Sequence, residues 1–167
     1  MNYHDIKHDD MLNGDGIRVV LFVSGCSHHC EGCQNKETWE PDSGIKFDDA
    51  ALEEIMGELE KDYVAGLTLS GGDPLYCQNR PEVIRIIEAV RKRFPEKSIW
   101  MYTGFDIEEI FESNSLRNVA TMVDVLVTGR FVTELVDVNT PYVGSTNQEI
   151  YEVTKMLDGS YLFEKIQ

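Results

Sequence analysis

The chain is short of positive charge. Its 167 residues hold 15 Lys and Arg against 30 Asp and Glu, a formal net charge of -15. Nucleic-acid binding rests on neutralising phosphates with Lys and Arg, so this balance argues against a nucleic-acid partner. It is equally unfavourable for an anionic membrane surface. No apolar run is long enough to span a bilayer. The opening M-N-Y-H-D-I-K-H-D-D has neither the basic start nor the apolar core of a secretory signal. No membrane association is expected, and the expected location is cytoplasmic. Internal repeats and low-complexity tracts are lacking. So is a disulfide framework: of 4 cysteines, three crowd into one short loop and Cys77 lies far along the chain. In a cytosolic protein such bunching points to metal binding or redox chemistry. The length predicts one domain, residues 1–167, with enough apolar content to bury a core.

The three bunched cysteines are Cys26, Cys30 and Cys33, in the spacing C-x3-C-x2-C within S-G-C-S-H-H-C-E-G-C-Q-N. They follow directly on V-V-L-F-V, the pattern of a buried strand that delivers a site at its tip. Three thiolates this close can converge on one metal centre. They are one ligand short of a closed tetrahedral zinc site or a four-cysteine cluster. Structural metal sites are closed, whereas reactive ones keep a position open. A zinc knuckle completed by His28 or His29 is the competing reading of the same residues; otherwise both histidines are expected to face solvent. Cys77 has the spacing of no partner and is expected to be a partly buried thiol.

Strand and helix alternate along the rest of the chain. Residues 1–16 read as a polar lead-in ending in the turn signals N-G and D-G. A first strand is predicted over residues 17–24. Residues 48–61 have helical period, with Leu52, Ile55, Met56 and Leu59 in one stripe. A strand over 66–70 ends in S-G-G-D-P. A helix over 79–94 has Pro81 in its first turn and Val83, Ile86, Ile87 and Val90 inward. A strand over 98–102 leads to Thr103 and Gly104. Asp106 with Glu109 resembles a capping box, opening a short helix with Ile107, Ile110 and Phe111 inward. A strand over 123–127 follows. From about Phe131 the pattern dissolves, so the core is read as about 14–131 and residues 132–167 as a polar tail. Such alternation argues for parallel βα units with right-handed crossovers and a site at the carboxyl ends of the strands. Four or five units are too few for an eightfold barrel, so the predicted fold is α/β, a partial, open TIM-like barrel.

The cysteine spacing at the end of the first strand resembles the radical S-adenosylmethionine signature. The resemblance extends along the chain. G-C-x3-C-x-G-C-x-N-x3-W over 25–39, S-G-G-D-P over 70–74, W-x-Y-T-G over 100–104, D-V-L-V-x-G-R-F over 124–131 and G-S-x-N-Q over 144–148 occur in that order in one family. That family is the activating proteins of the anaerobic ribonucleoside-triphosphate reductase, and the opening M-N-Y and N-G-x-G-I-R are similar to it as well. The chain departs from the pattern at Gln34, where an aromatic residue is expected, and at Thr128, where Asp is usual. Residues 149–167 have no counterpart that can be assigned.

The resemblance implies a [4Fe-4S] cluster on Cys26, Cys30 and Cys33, with the fourth iron open to the amino and carboxylate groups of S-adenosylmethionine. It implies a 5′-deoxyadenosyl radical that takes a Cα hydrogen from a glycine of the reductase large subunit. The electron comes from a low-potential donor such as a flavodoxin. No catalytic side chain is implied, because the cofactor radical performs the abstraction. The cofactor contacts implied are Gly71, Gly72 and Asp73 at the methionyl end, Gly32, Cys33 and Gln34 near the adenine, and Thr103 at the third strand. Each has a plainer reading as turn or loop structure; Asn35 and Trp39 share that ambiguity. Two alternatives belong to other groups: a different small radical enzyme, of the pyruvate formate-lyase activase or carboxy-deazaguanine synthase kind, and a noncatalytic zinc or iron–sulfur module.

Overall fold

The computed structural model describes residues 1–167. Its strands are β1 (Asn2–Asp10), β2 (Ile17–Val23), β3 (Ile45–Lys46), β4 (Val64–Gly71), β5 (Ser98–Tyr102), β6 (Val125–Thr128), β7 (Glu149–Lys155) and β8 (Tyr161–Lys165). All eight share one open sheet in the order β3-β1-β2-β4-β5-β6-β7-β8. The four middle strands run parallel. The flanking pairs are antiparallel. In the parallel part, each strand is laid beside the one before it, always in the same direction. Right-handed crossovers then place every connecting helix on one face of the sheet. The other face is left without helices.

The helices are α1 (Asp49–Leu59), α2 (Arg80–Arg93), α3 (Ile107–Glu112) and α4 (Asn114–Ala120). The Asp48 side chain caps α1 by accepting from Ala51 N at 2.9 Å. α2 buries Val83, Ile86, Ile87 and Val90, as its stripe predicts. Asp106 and Glu109 form the predicted capping box of α3. Phe111 departs from expectation: it is 44% exposed and meets the Phe163 ring of β8 edge-on. α1 buries Ile55, Met56 and Leu59 as predicted, with Ala51 added and Leu52 partly buried against the same core.

Alternate strand residues divide between the faces. Val19, Leu21, Val23, Leu67, Leu69, Ile99, Met101 and Leu126 join the helices in the main core. Trp100, Val127 and Ile150 form a small second core on the opposite face, with Tyr102, Tyr142 and Val143 against it. Arg18 is fully buried. Its guanidinium donates to Thr68 Oγ1 at 2.7 Å, Asp15 O at 2.9 Å, Ser98 Oγ at 3.0 Å, Leu67 O at 2.8 Å and Ser98 O at 2.9 Å. It also sits 5.5 Å from the Trp100 ring centroid. No carboxylate pairs with it, so burial pushes its pKa down to about 10, still charged at neutral pH. The role of Arg18, unassigned from sequence, is therefore to tie the start of β2 to β4 and β5.

Two stretches differ from the sequence reading. The polar lead-in contains β1, a strand whose only buried residues are Ile6 and Asp10. It is held by antiparallel pairing to β2 rather than by an apolar face, so composition hides it. The stretch read as a polar tail contains β7 and β8, and β7 pairs with β6 in the same sheet. Ile150, Tyr151 and Val153 bury there, but β7 also carries Glu149, Glu152 and Lys155, which masks its alternation. The structured sheet thus runs well past 131. No helix is long and apolar enough to cross a membrane.

Arg18→Met keeps most of the bulk and removes all five donated hydrogen bonds. Leaving buried carbonyls unpaired is expected to lower unfolding free energy by about 3 kcal/mol or more, measured by urea denaturation. An unchanged midpoint would contradict this role.

Candidate metal centre and adjoining cavity

The cysteine loop leaves β2 through Ser24 and Gly25. Ser24 N donates to Asn2 O at 2.9 Å, and Ser24 Oγ to Ser43 O at 2.8 Å. Gly25 N donates to Thr38 O at 2.7 Å and Cys26 N to Trp39 O at 2.9 Å, closing the loop on its own far end. Within it, Cys33 N donates to Cys30 O at 3.1 Å, and Asn35 N to Cys33 Sγ at 3.4 Å. All three cysteines are free and half-buried. Burial pushes the Cys26 thiol up to about 11, so a bound cation is needed to favour its thiolate.

The S-G-G-D-P loop at the end of β4 is stitched to this loop by backbone. Gly72 N donates to Val23 O, and Asp73 N to Gly25 O, both at 2.8 Å. A Cβ on Gly71 would lie 2.7 Å from Val23 N, at a φ of +98°, and one on Gly72 would lie 2.6 Å from Gly25 O. Both glycines are therefore required for close backbone approach, as well as bordering the cavity.

The Asp73 carboxylate is buried and accepts from four groups. These are His28 Nε2 at 2.8 Å, Thr103 Oγ1 at 3.0 Å, Gly104 N at 3.1 Å and Leu75 N at 2.8 Å. It binds together the loops after β2, β4 and β5. His28, expected to face solvent, has a side chain only 4% exposed, edge-on to Phe105 at 4.6 Å. His29 does reach the surface, stacked on Trp39 at 4.6 Å. Sequence gives no sign of the His28–Asp73 pair, because the two residues lie in different βα units.

The edge of the site beyond β6 is held by G-S-T-N-Q. Gln148 Oε1 accepts from Gly144 N at 2.8 Å, and its Nε2 donates to Gly129 O at 2.9 Å. Asn147 Nδ2 donates to Arg130 O at 2.8 Å, and Ser145 Oγ accepts from Val132 N at 3.1 Å. Arg130 is engaged within the chain, 2.9 Å from Glu109 and 3.4 Å from Asp106. Thr128 is buried, its hydroxyl 3.4 Å from Glu149 O.

Between these loops lies a cavity of about 480 Å³. Cys26, Cys30, Cys33, Gln34, Gly71, Gly72 and Thr103 all border it, as do Asn35 and Trp39. Two residues expected as cofactor contacts do not. Asp73 is consumed by the bonds just described. Gly32, at a φ of +73°, packs on Thr133, whose Oγ1 would be 2.3 Å from an added Cβ. Cys77 is exposed rather than partly buried and lies outside the lining. Sequence reasoning missed the lining from Val136 to Val143, an irregular segment with no period to read, and Tyr102, whose hydroxyl donates to Tyr142 O at 2.8 Å.

No three His, Cys, Asp or Glu side chains gather as they would around a single ion. A four-iron cluster makes a different demand, since each cysteine binds a separate iron. The residues fit such a group. Soft thiol donors border one half-buried space, and a backbone N–H points at one of the sulfurs. Cavity volumes of this size suit a small organic ligand beside it.

An open α/β sheet with three cysteines beyond one strand end and a cavity beside them defines an iron–sulfur protein with room for a second ligand. The description "4Fe-4S single cluster domain" belongs to a family whose model matches residues 12–151. The chain is 44% identical over 154 residues to the anaerobic ribonucleoside-triphosphate reductase-activating protein of Enterobacteria phage T4, covering 92% of this chain and 96% of that one. It is 39% identical over 155 residues to the protein of that name from Escherichia coli K12, covering 92% and 99%. For Haemophilus influenzae the identity is 38% over 153 residues, covering 90% and 97%. The chain belongs to the 4Fe-4S single cluster domain family and, within it, to the anaerobic ribonucleoside-triphosphate reductase-activating proteins.

Asp73→Asn leaves one acceptor oxygen for four donors. It is expected to cost about 1–3 kcal/mol of stability by chemical denaturation, with the far-ultraviolet circular dichroism of the folded state unchanged. A loss below about 0.5 kcal/mol would show that the carboxylate does not hold the loops together.

Proposed function

We propose that this protein activates the anaerobic ribonucleoside-triphosphate reductase by the radical S-adenosylmethionine route, acting in the cytoplasm on the reductase large subunit. The observation that carries the reading is the meeting, at one cavity, of the three cysteines with Gly71, Gly72 and Thr103 from the next two parallel strands. The family membership supports the partner. The open sheet is then a partial barrel whose uncovered edge admits a loop of another protein.

When bound, the cluster and S-adenosylmethionine would supply radical chemistry able to remove a Cα hydrogen from a glycine of the reductase, with the electron drawn from a low-potential donor such as a flavodoxin. The protein binds and orients. Cys26, Cys30 and Cys33 hold the cluster and leave one iron free. Gly71 and Gly72 place main-chain groups at the methionyl end, and Gln34 and Thr103 border the remainder. Asp73 acts from behind, by fixing His28, Thr103 and Gly104. Gly32 acts by letting the cysteine loop close on Thr133, which donates to Glu31 O at 2.8 Å. No side chain needs to act as a general base.

The other readings find less support. A zinc knuckle needs its ligands gathered around one ion, and no three His, Cys, Asp or Glu side chains are so gathered. An electron carrier needs a fourth protein ligand, and the remaining cysteine is exposed and outside the cavity.

The test is substitution of each cysteine in turn with Ala, followed by anaerobic reconstitution. Cys26→Ala, Cys30→Ala and Cys33→Ala are each expected to lose the four-iron stoichiometry and all 5′-deoxyadenosine production. Cys77→Ala is expected to keep both. Full cofactor cleavage in any of the first three, or loss of the cluster in the fourth, would overturn the ligand assignment.

A further inference from the structure

The cavity of about 480 Å³ is sized for one small organic ligand. The function proposed above asks it to admit a loop of another protein as well, so one wall has to give. The walls built from the cysteine loop, the S-G-G-D-P loop and Thr103 are tied together through Asp73. The remaining wall is the irregular segment from Val136 to Gly144, in which no residue is buried and Val138 is 93% exposed. The ends of this segment are pinned to each other, Thr146 N donating to Leu135 O at 2.8 Å, so the piece between them can swing as a unit. Few contacts hold it down. The Tyr102 hydroxyl donates to Tyr142 O at 2.8 Å, the Tyr142 ring meets Trp100 edge-on at 5.3 Å, and Gln167 Nε2 donates to Pro141 O at 3.3 Å. Tyr142 keeps this place at a φ of +63°, a left-handed backbone that strains a bulky residue.

We propose that residues 136–144 form a flap, latched by the hydrogen bond from Tyr102 to Tyr142, that opens to admit the glycine-bearing loop of the reductase. The inference rests on the reading of the protein as the activator of that reductase. Opening relaxes the Tyr142 backbone and returns its carbonyl to water, so strain and solvation work against the latch. Only the open state takes the loop, and the closed population therefore subtracts from the apparent affinity for the reductase.

The experiment compares wild type with Tyr102→Phe, which keeps the ring and removes the latching hydroxyl, each as the full chain reconstituted anaerobically. Chymotrypsin cleavage after Tyr142, followed by mass spectrometry, reports the open population. It is expected to be about three- to tenfold faster in the variant, the shift that losing one hydrogen bond gives, with cleavage elsewhere in the chain unchanged. The variant is also expected to bind the reductase large subunit more tightly by about the same factor, a gain that a merely structural role of Tyr102 would not produce. Equal cleavage rates after Tyr142 would overturn the latch, and so would a rise shared by every cleavage site, which reports lost global stability. Faster cleavage with equal or weaker reductase binding would overturn the gate. So would a gain confined to S-adenosylmethionine binding, since the flap would then serve the cofactor. If Tyr102→Phe does not fold, Gln167→Ala, at the chain terminus, removes the other side-chain tie to the flap and is judged by the same outcomes. Failure of wild type itself to bind the reductase would sink the functional reading, a result separable from the latch because the cleavage rates need no partner.

Discussion

One buried carboxylate holds the site in shape. Asp73 sits just past β4 and receives hydrogen bonds from the loops after β2 and β5 and from its own. A carboxylate is suited to this, because it accepts from several donors at once and offers none. Parallel strands deliver their loops to one edge, but nothing in the sheet itself fixes those loops against each other. Asp73 does so, with Asn79 behind it donating to Ser24 O at 2.8 Å and Asp73 O at 2.9 Å. The cysteine loop, the glycine pair and Thr103 thereby meet at a single cavity.

A second constraint acts at the opposite end of the strands. Arg18 spans β2, β4 and β5 with no counter-ion, using hydroxyls and carbonyls alone. A guanidinium has five donors in a fixed fork, enough to bind a cluster of neutral acceptors. Gly66 belongs to the same arrangement, since a Cβ there would lie 1.8 Å from Ser98 O. The helix-free face is thus closed at one end by a polar plug and open at the other.

The parallel centre of the fold was legible in the alternation of strand and helix. The stripe of α2 is buried on the face its spacing marks, and the strand over 98–102 emerges at the predicted bounds, buried on both faces. What failed to show were β1, β3, β7, β8 and α4. β8 is mostly exposed and β1 fully buries only Ile6 and Asp10, which leaves no hydrophobic alternation to read. α4 is short and starts from a single Ser113 cap. At the site, the cysteines and glycines were legible because their chemistry or backbone demands are specific to residue type. The functions of His28, Asp73, Gly32 and Gln148 were not. Each depends on a partner in another βα unit, and position in the sheet, not local pattern, brings the partners together.

The departures from the family pattern also find physical places. Thr128 is buried against β7, so its hydroxyl serves the β6–β7 edge of the sheet. Gln34 is exposed at the cavity rim. Residues 149–167 complete the sheet rather than trailing from it. In the proposed function, three cysteines hold a four-iron cluster whose remaining iron is open to S-adenosylmethionine. Electron paramagnetic resonance of the dithionite-reduced protein, with and without S-adenosylmethionine, tests it most directly. A reduced [4Fe-4S] signal that changes when the cofactor is added is the predicted result. A silent protein carrying stoichiometric zinc, or a cluster signal indifferent to the cofactor, would contradict it.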